Sequence, residues 1–127
     1  MYGQSYRILT AVHPDTAERI SRILEGHDLV IVQTIAAAKS ALEAGDIQII
    51  FVGARFDESR MFEFLGFLRQ HVQYCKIPIA AAIVIPTTMA PETIEGLAHT
   101  SKIYGASVFV NLNDILRVGK RWLFGGG

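Results

Sequence analysis

Short apolar runs alternate with amphipathic ones along almost the whole chain. "YRILTAV", "DLVIVQT", "IQIIFV", "KIPIAAAIVI" and "SVFVNL" are compact, largely apolar and bounded by turn residues. Runs of this kind read as strands buried on both faces, as in a parallel sheet covered by helices. Between them lie segments with apolar residues at helical spacing. The first, "TAERISRILEG", places Ala17, Ile20, Ile23 and Leu24 on one face. The third, "RMFEFLGFLRQ", does the same with Met61, Phe64, Leu65 and Leu68. Pro14 and Asp15 suit a helix start, Thr34 an N-cap, and Pro91 a first turn. Gly26, Gly45 and Gly105 stand where helices should end.

Asn113 or Asp114 would cap a last helix, "ILRVGKRWLF", and three glycines close the chain as a flexible tail or the start of a linker. Five strands alternating with five helices predict a doubly wound α/β domain, (βα)5, with a parallel sheet and right-handed crossovers. The chain of 127 residues is enough for one domain with one core, expected over about 6–124.

Charge changes this picture little. Twelve basic and twelve acidic residues cancel, so no overall field draws the chain to nucleic acid or to an anionic membrane. The start carries no apolar signal-peptide core, and "IPIAAAIVI" is too short to span a bilayer. One cysteine, Cys75, allows no internal disulfide and reads as a semi-buried structural thiol. A cytoplasmic protein is expected. The dinucleotide fingerprint and the phosphate-binding P-loop are both absent from the sequence.

The order and lengths of these elements, with "ILTAVHPD", "FEFLGFLRQ", "IPIAAAIV" and "YGASVFV" at matching places, resemble the receiver domain of two-component response regulators. The resemblance implies a flavodoxin-like sheet of order 2-1-3-4-5. It also implies a chemistry. An acidic pair after strand one holds Mg²⁺, and an Asp ending strand three takes a phosphoryl group. A Thr or Ser after strand four and a Lys after strand five meet the phosphate. Carried onto this chain, the acidic pair falls on Val12 and His13, and the acceptor on Gly53. The hydroxyl falls on Ile83, or on Val84 with a one-residue slip, and the Lys on Leu112. None of these is the required group. The expectation is a degenerate receiver that takes no phosphate at Gly53, is no enzyme, needs no metal or cofactor, and signals by protein contact.

In receivers the face formed by helix four, strand five and helix five is the usual dimer or target surface. Here it would present Lys102, Tyr104, Phe109, Arg117, Arg121 and Trp122, with Phe109 at the place of the family's switching aromatic. A homodimer or another protein partner is expected there, with no nucleic acid and no membrane bound by this domain. The connection "IPTTMAPET" reads as longer than is usual in the family.

Two other readings follow from the same residues. Val12, Gly53, Ile83 and Leu112 could line an apolar pocket for a small ligand at the sheet's edge. His13, Asp15 and Asp57 could meet as metal ligands, although a helix-start role explains Asp15. Asp57 and Glu58 read as a solvated acidic pair favouring the start of the helix that follows them.

Overall fold

In the computed structural model the described residues are 5–83 and 90–112. Strands β1 (Arg7–Ala11), β2 (Asp28–Val32), β3 (Ile49–Gly53), β4 (Ile79–Ile83) and β5 (Val108–Asn111) form one sheet. Its order is β2-β1-β3-β4-β5 and every pairing is parallel. The connecting helices are α1 (Ala17–Ile23), α2 (Ile35–Ala44), α3 (Met61–Gln70) and α4 (Pro91–Ile103). A 3-10 turn, Pro14–Thr16, leads into α1, and a single turn, Phe56–Ser59, precedes α3.

Because side chains alternate across a strand, each strand serves two cores. On one side Leu9, Ala11, Ile50, Val52, Ile79 and Ala81 pack with Ile35, Ala38 and Leu42 of α2 and with Met61, Phe64, Leu65 and Leu68 of α3. On the other, Ile8, Val12, Phe51, Ala82 and Leu112 pack with Ile20, Ile23 and Leu24 of the α1 region. Two packed faces explain why the strands read as apolar runs rather than as alternating ones. Ala81 and Ala82, fully buried, leave the centre of the sheet without bulky side chains.

The local signals act as expected. Thr34 accepts a hydrogen bond from the Ala37 amide at 3.1 Å and caps α2. Gly26, Gly45 and Gly105 have φ of 99°, 90° and 109°, a left-handed backbone that glycine adopts without a steric penalty. The expected last helix and the connection at 84–89, with Val84, lie outside the described residues.

Candidate functional site at the carboxyl edge of the sheet

Parallel strands bring all their carboxyl ends to one edge, so loops far apart in sequence meet there. Gly53 ends β3 opposite Ala82, and Ile83 ends β4 opposite Asn111. Val12 follows β1 and continues its ladder, its amide donating to the Val32 carbonyl at 3.2 Å. Leu112 follows β5. The structure therefore places Val12, Gly53, Ile83 and Leu112 along one edge.

Their chemistry is uniform. Val12 and Leu112 have no exposed surface and share one apolar cluster with Ile20, Phe51 and Ala82. Ile83 is buried on the alternate pleat. Apolar side chains and a glycine supply no hard oxygen ligand for a divalent cation and no cation to meet a phosphate. Such side chains, packed into the core, present little surface to a ligand either.

His13, the one polar residue of the set, has a local partner. Its Nδ1 accepts from the Asp15 amide at 3.1 Å, capping the 3-10 turn that Pro14 begins, and the Asp15 carboxylate lies 3.6 Å away. The Thr16 hydroxyl donates to the His13 carbonyl at 2.8 Å. His13 and Asp15 thus meet, but Asp57 is engaged elsewhere. No three His, Cys, Asp or Glu side chains gather as a metal site among the described residues.

The segment after Gly53 is the unexpected part. Phe56 is fully buried and meets Phe64 edge-on, with ring centroids 5.4 Å apart. The next three residues, Asp57, Glu58 and Ser59, have φ of 47°, 57° and 66°. A non-glycine residue in this left-handed region costs about 1–2 kcal/mol, so three in succession must be held by their surroundings. Asp57 is held. Its Oδ2 accepts from the Ile35 amide at 2.9 Å, and Arg60 Nη1 lies 3.3 Å from the same oxygen. Arg60 also grips both oxygens of Glu63, at 3.0 and 2.6 Å. The hydrogen bond from Arg60 holds the Glu63 carboxyl below the usual carboxylate range, and Glu63 in turn raises the Arg60 guanidinium.

Asp57 therefore corrects the expectation made for it. It serves the amino end of α2, across the sheet edge, rather than the helix that follows it. In "FDES" only the Asp carries a weak signal for a left-handed backbone, and nothing marks Glu58 or Ser59. An Asp before a helix also carries no mark of which helix it caps.

Other expectations fare unequally. Cys75 is exposed rather than semi-buried, because the turns after α3 carry it away from both cores. His27 accepts the Tyr6 amide at 3.0 Å and stacks on the Tyr6 ring, tying β1 to the start of β2. On the expected contact face Lys102 and Tyr104 are exposed, the Tyr104 ring also lying against Phe62. Phe109 is half-buried against the α2–α3 core and sits opposite Ala81. Arg117, Arg121 and Trp122 lie outside the described residues. Ile103 and Val108, 54% and 45% exposed, add apolar surface beside Lys102 and Phe109 that the sequence pattern did not single out.

No protein-family model matches the chain, and no curated protein matches it. Solved structures do. The chain is similar to the chemotaxis response regulator CheY4 of Vibrio cholerae, with a TM-score of 0.64 and 19% identity over 84% of this chain and 85% of that one. It is similar to the phosphorylated cyanobacterial phytochrome response regulator RcpA, with a TM-score of 0.71 and 15% identity over 94% and 95% of the two chains. It is also similar to the Mn²⁺-bound response regulator Rcp1, with a TM-score of 0.68 and 15% identity over 89% and 88%. At such identities the likeness establishes the fold. This is the flavodoxin-like fold of response-regulator receivers, a five-stranded parallel sheet of order 2-1-3-4-5. No helix among the described residues is long and apolar enough to cross a membrane.

Proposed function

We propose that this chain is a cytoplasmic, receiver-like signalling module that accepts no phosphoryl group at Gly53 and acts through protein contact, either with a partner or with itself. One observation carries the proposal. The strand ends meet at one edge, yet the residues there are Val12, Gly53, Ile83 and Leu112, with His13 committed to a local cap. RcpA is phosphorylated and Rcp1 holds Mn²⁺. Those processes need a carboxylate to attack phosphorus and oxygen ligands for the cation. Neither is supplied at the corresponding edge positions of this chain.

Contact then falls to the surface around the end of α4 and β5. Lys102, Ile103, Tyr104 and Val108 are exposed there. A mix of aromatic, aliphatic and cationic side chains of this kind suits a protein interface. Phe109 has no phosphoryl trigger to turn it.

The test is incubation with acetyl phosphate and Mg²⁺, and in parallel with beryllofluoride. The expected outcome is an unchanged mass and unchanged amide chemical shifts around Gly53. Addition of one phosphoryl group, or a shift pattern centred on Gly53, would overturn the proposal. Light scattering of the wild type and of Tyr104→Ala checks self-association through the α4–β5 surface.

A further inference from the structure

The segment joining β3 to α3 has the parts of a two-state strap. Phe56, buried against Phe64, anchors one end. Arg60, gripping Glu63 in the first turn of α3, anchors the other. Between them Asp57, Glu58 and Ser59 are held left-handed. Two turn hydrogen bonds, from the Ser59 amide to the Arg55 carbonyl and from the Arg60 amide to the Phe56 carbonyl, close the loop on itself. Its bond outward to α2 is from the Ile35 amide to Asp57 Oδ2 at 2.9 Å. Thr34 serves the Ala37 amide, so the Asp57 carboxylate reaches a different donor of the same helix end. In the sheet order β1 lies between β2 and β3, so the closed strap spans from the β3 end to the start of α2, past the end of β1 at Val12.

Two opposed tendencies act on these few residues. Three non-glycine residues in the left-handed region drive the loop open, toward ordinary backbone angles. The charge-assisted bond to Ile35 and the contact with Arg60 hold it closed. We propose that residues 54–60 form a strap that opens and closes on α2 through the Asp57–Ile35 hydrogen bond. This gives the sheet edge a conformational switch that needs no phosphoryl group. When the strap opens, Asp57 leaves Ile35, the three residues relax, and the Ile35 amide meets water, while Phe56 and both cores stay packed. The inference does not depend on how the chain signals, because a phosphorylation assay and an exchange measurement at Ile35 can fail separately.

Opposite substitutions in one loop test it. Glu58 and Ser59 are exposed, so Glu58→Gly removes strain and disturbs no core contact. Asp57→Ala removes the latch. Amide hydrogen exchange of the full chain is read by NMR at Ile35, with Leu9 and Ile50 as strand references. Asp57→Ala should speed exchange at Ile35 at least tenfold and leave Leu9 and Ile50 unchanged. Glu58→Gly should slow it several-fold. Asp57→Asn, which keeps an acceptor but loses the charge, should fall between Asp57→Ala and the wild type. In the wild type, relaxation dispersion should show one shared exchange process over 54–60 and Ile35. The proposal is overturned if Asp57→Ala leaves Ile35 unchanged or speeds the strand amides equally. It is equally overturned if Glu58→Gly speeds Ile35 exchange, or if dispersion is flat throughout the loop.

Discussion

Helices α3 and α4 touch, and their inward residues fall at the same spacing. In α3 these are Met61, Phe64, Leu65 and Leu68; in α4 they are Ile94, Leu97, Ala98 and Ser101. All four positions are buried in α3. In α4 only Ser101 is, although α4 has 13 residues and α3 has 10. The contrast lies in burial and not in period. In α3 four large side chains fill the space above the sheet and exclude water, whereas in α4 Ile94 and Leu97 stay half-buried and Ala98 and Ser101 bring little apolar area to the contact. What joins the two helices is gathered at the carboxyl end of α4. The Phe62 and Tyr104 rings lie 5.4 Å apart, and Arg69 donates to the Ile103 carbonyl at 2.8 Å. Periodicity sets which face a helix turns inward, and the apolar area that face buries sets how firmly it is held.

The largest test of this contrast is Phe64→Ala in α3. It should cost about 3–5 kcal/mol of unfolding free energy, as for other fully buried aromatics. Urea denaturation reads this, and a loss no greater than that from an α4 substitution would remove the distinction. Leu97→Ala, at a half-buried site in α4, should cost about 1–1.5 kcal/mol. The same view predicts that α4 amides exchange by local opening, well below the global free energy, while those of α3 exchange only on global unfolding. Arg69→Ala should cost about 0.5–1 kcal/mol, within the range of a single hydrogen bond. Its effect on hydrogen exchange should be confined to the end of α4, and a spread into α3 would count against separate anchoring.

The smallest effect is expected from Glu63→Gln at the start of α3. The carboxyl of Glu63 is lowered by its bond from Arg60, so its contribution is complete at neutral pH and is lost as the pH falls through the carboxylate range. The pair is exposed and screened, so the change should appear as a slightly flatter acid limb in melting temperature against pH, and should shrink further in high salt.

Much of the fold could be read directly from the chain, and the reasons are local. Apolar runs without alternation marked strands covered on both faces, and Leu9 with Phe51 shows both faces filled. Thr34 and Gly45 bracket α2 where a cap and a stop were expected. The order of the strand ends could be read as well. The register brings Gly53 beside Ala82, and Val12 and Leu112 into one cluster, so their common lack of polar chemistry was already present in the order of elements. Asp57 was not readable in this way. Its partner lies 22 residues away at the start of α2, and no glycine marks the left-handed run it begins.

By itself, then, the sequence determined the alternation of strands and helices, the caps that bound them, and the residues, Val12, Gly53, Ile83 and Leu112, that stand at the strand ends. These depend on neighbours within a few residues, where periodicity and turn preference act. Only the tertiary structure decided that Asp57 reaches the α2 amide and that His27 joins β1 to β2. It alone decided that Cys75 stands in solvent, and that α4 lies on the sheet with little of itself buried. Each of these depends on which strand ends and helix faces meet once the sheet has closed, and on how much volume the neighbouring side chains leave between them.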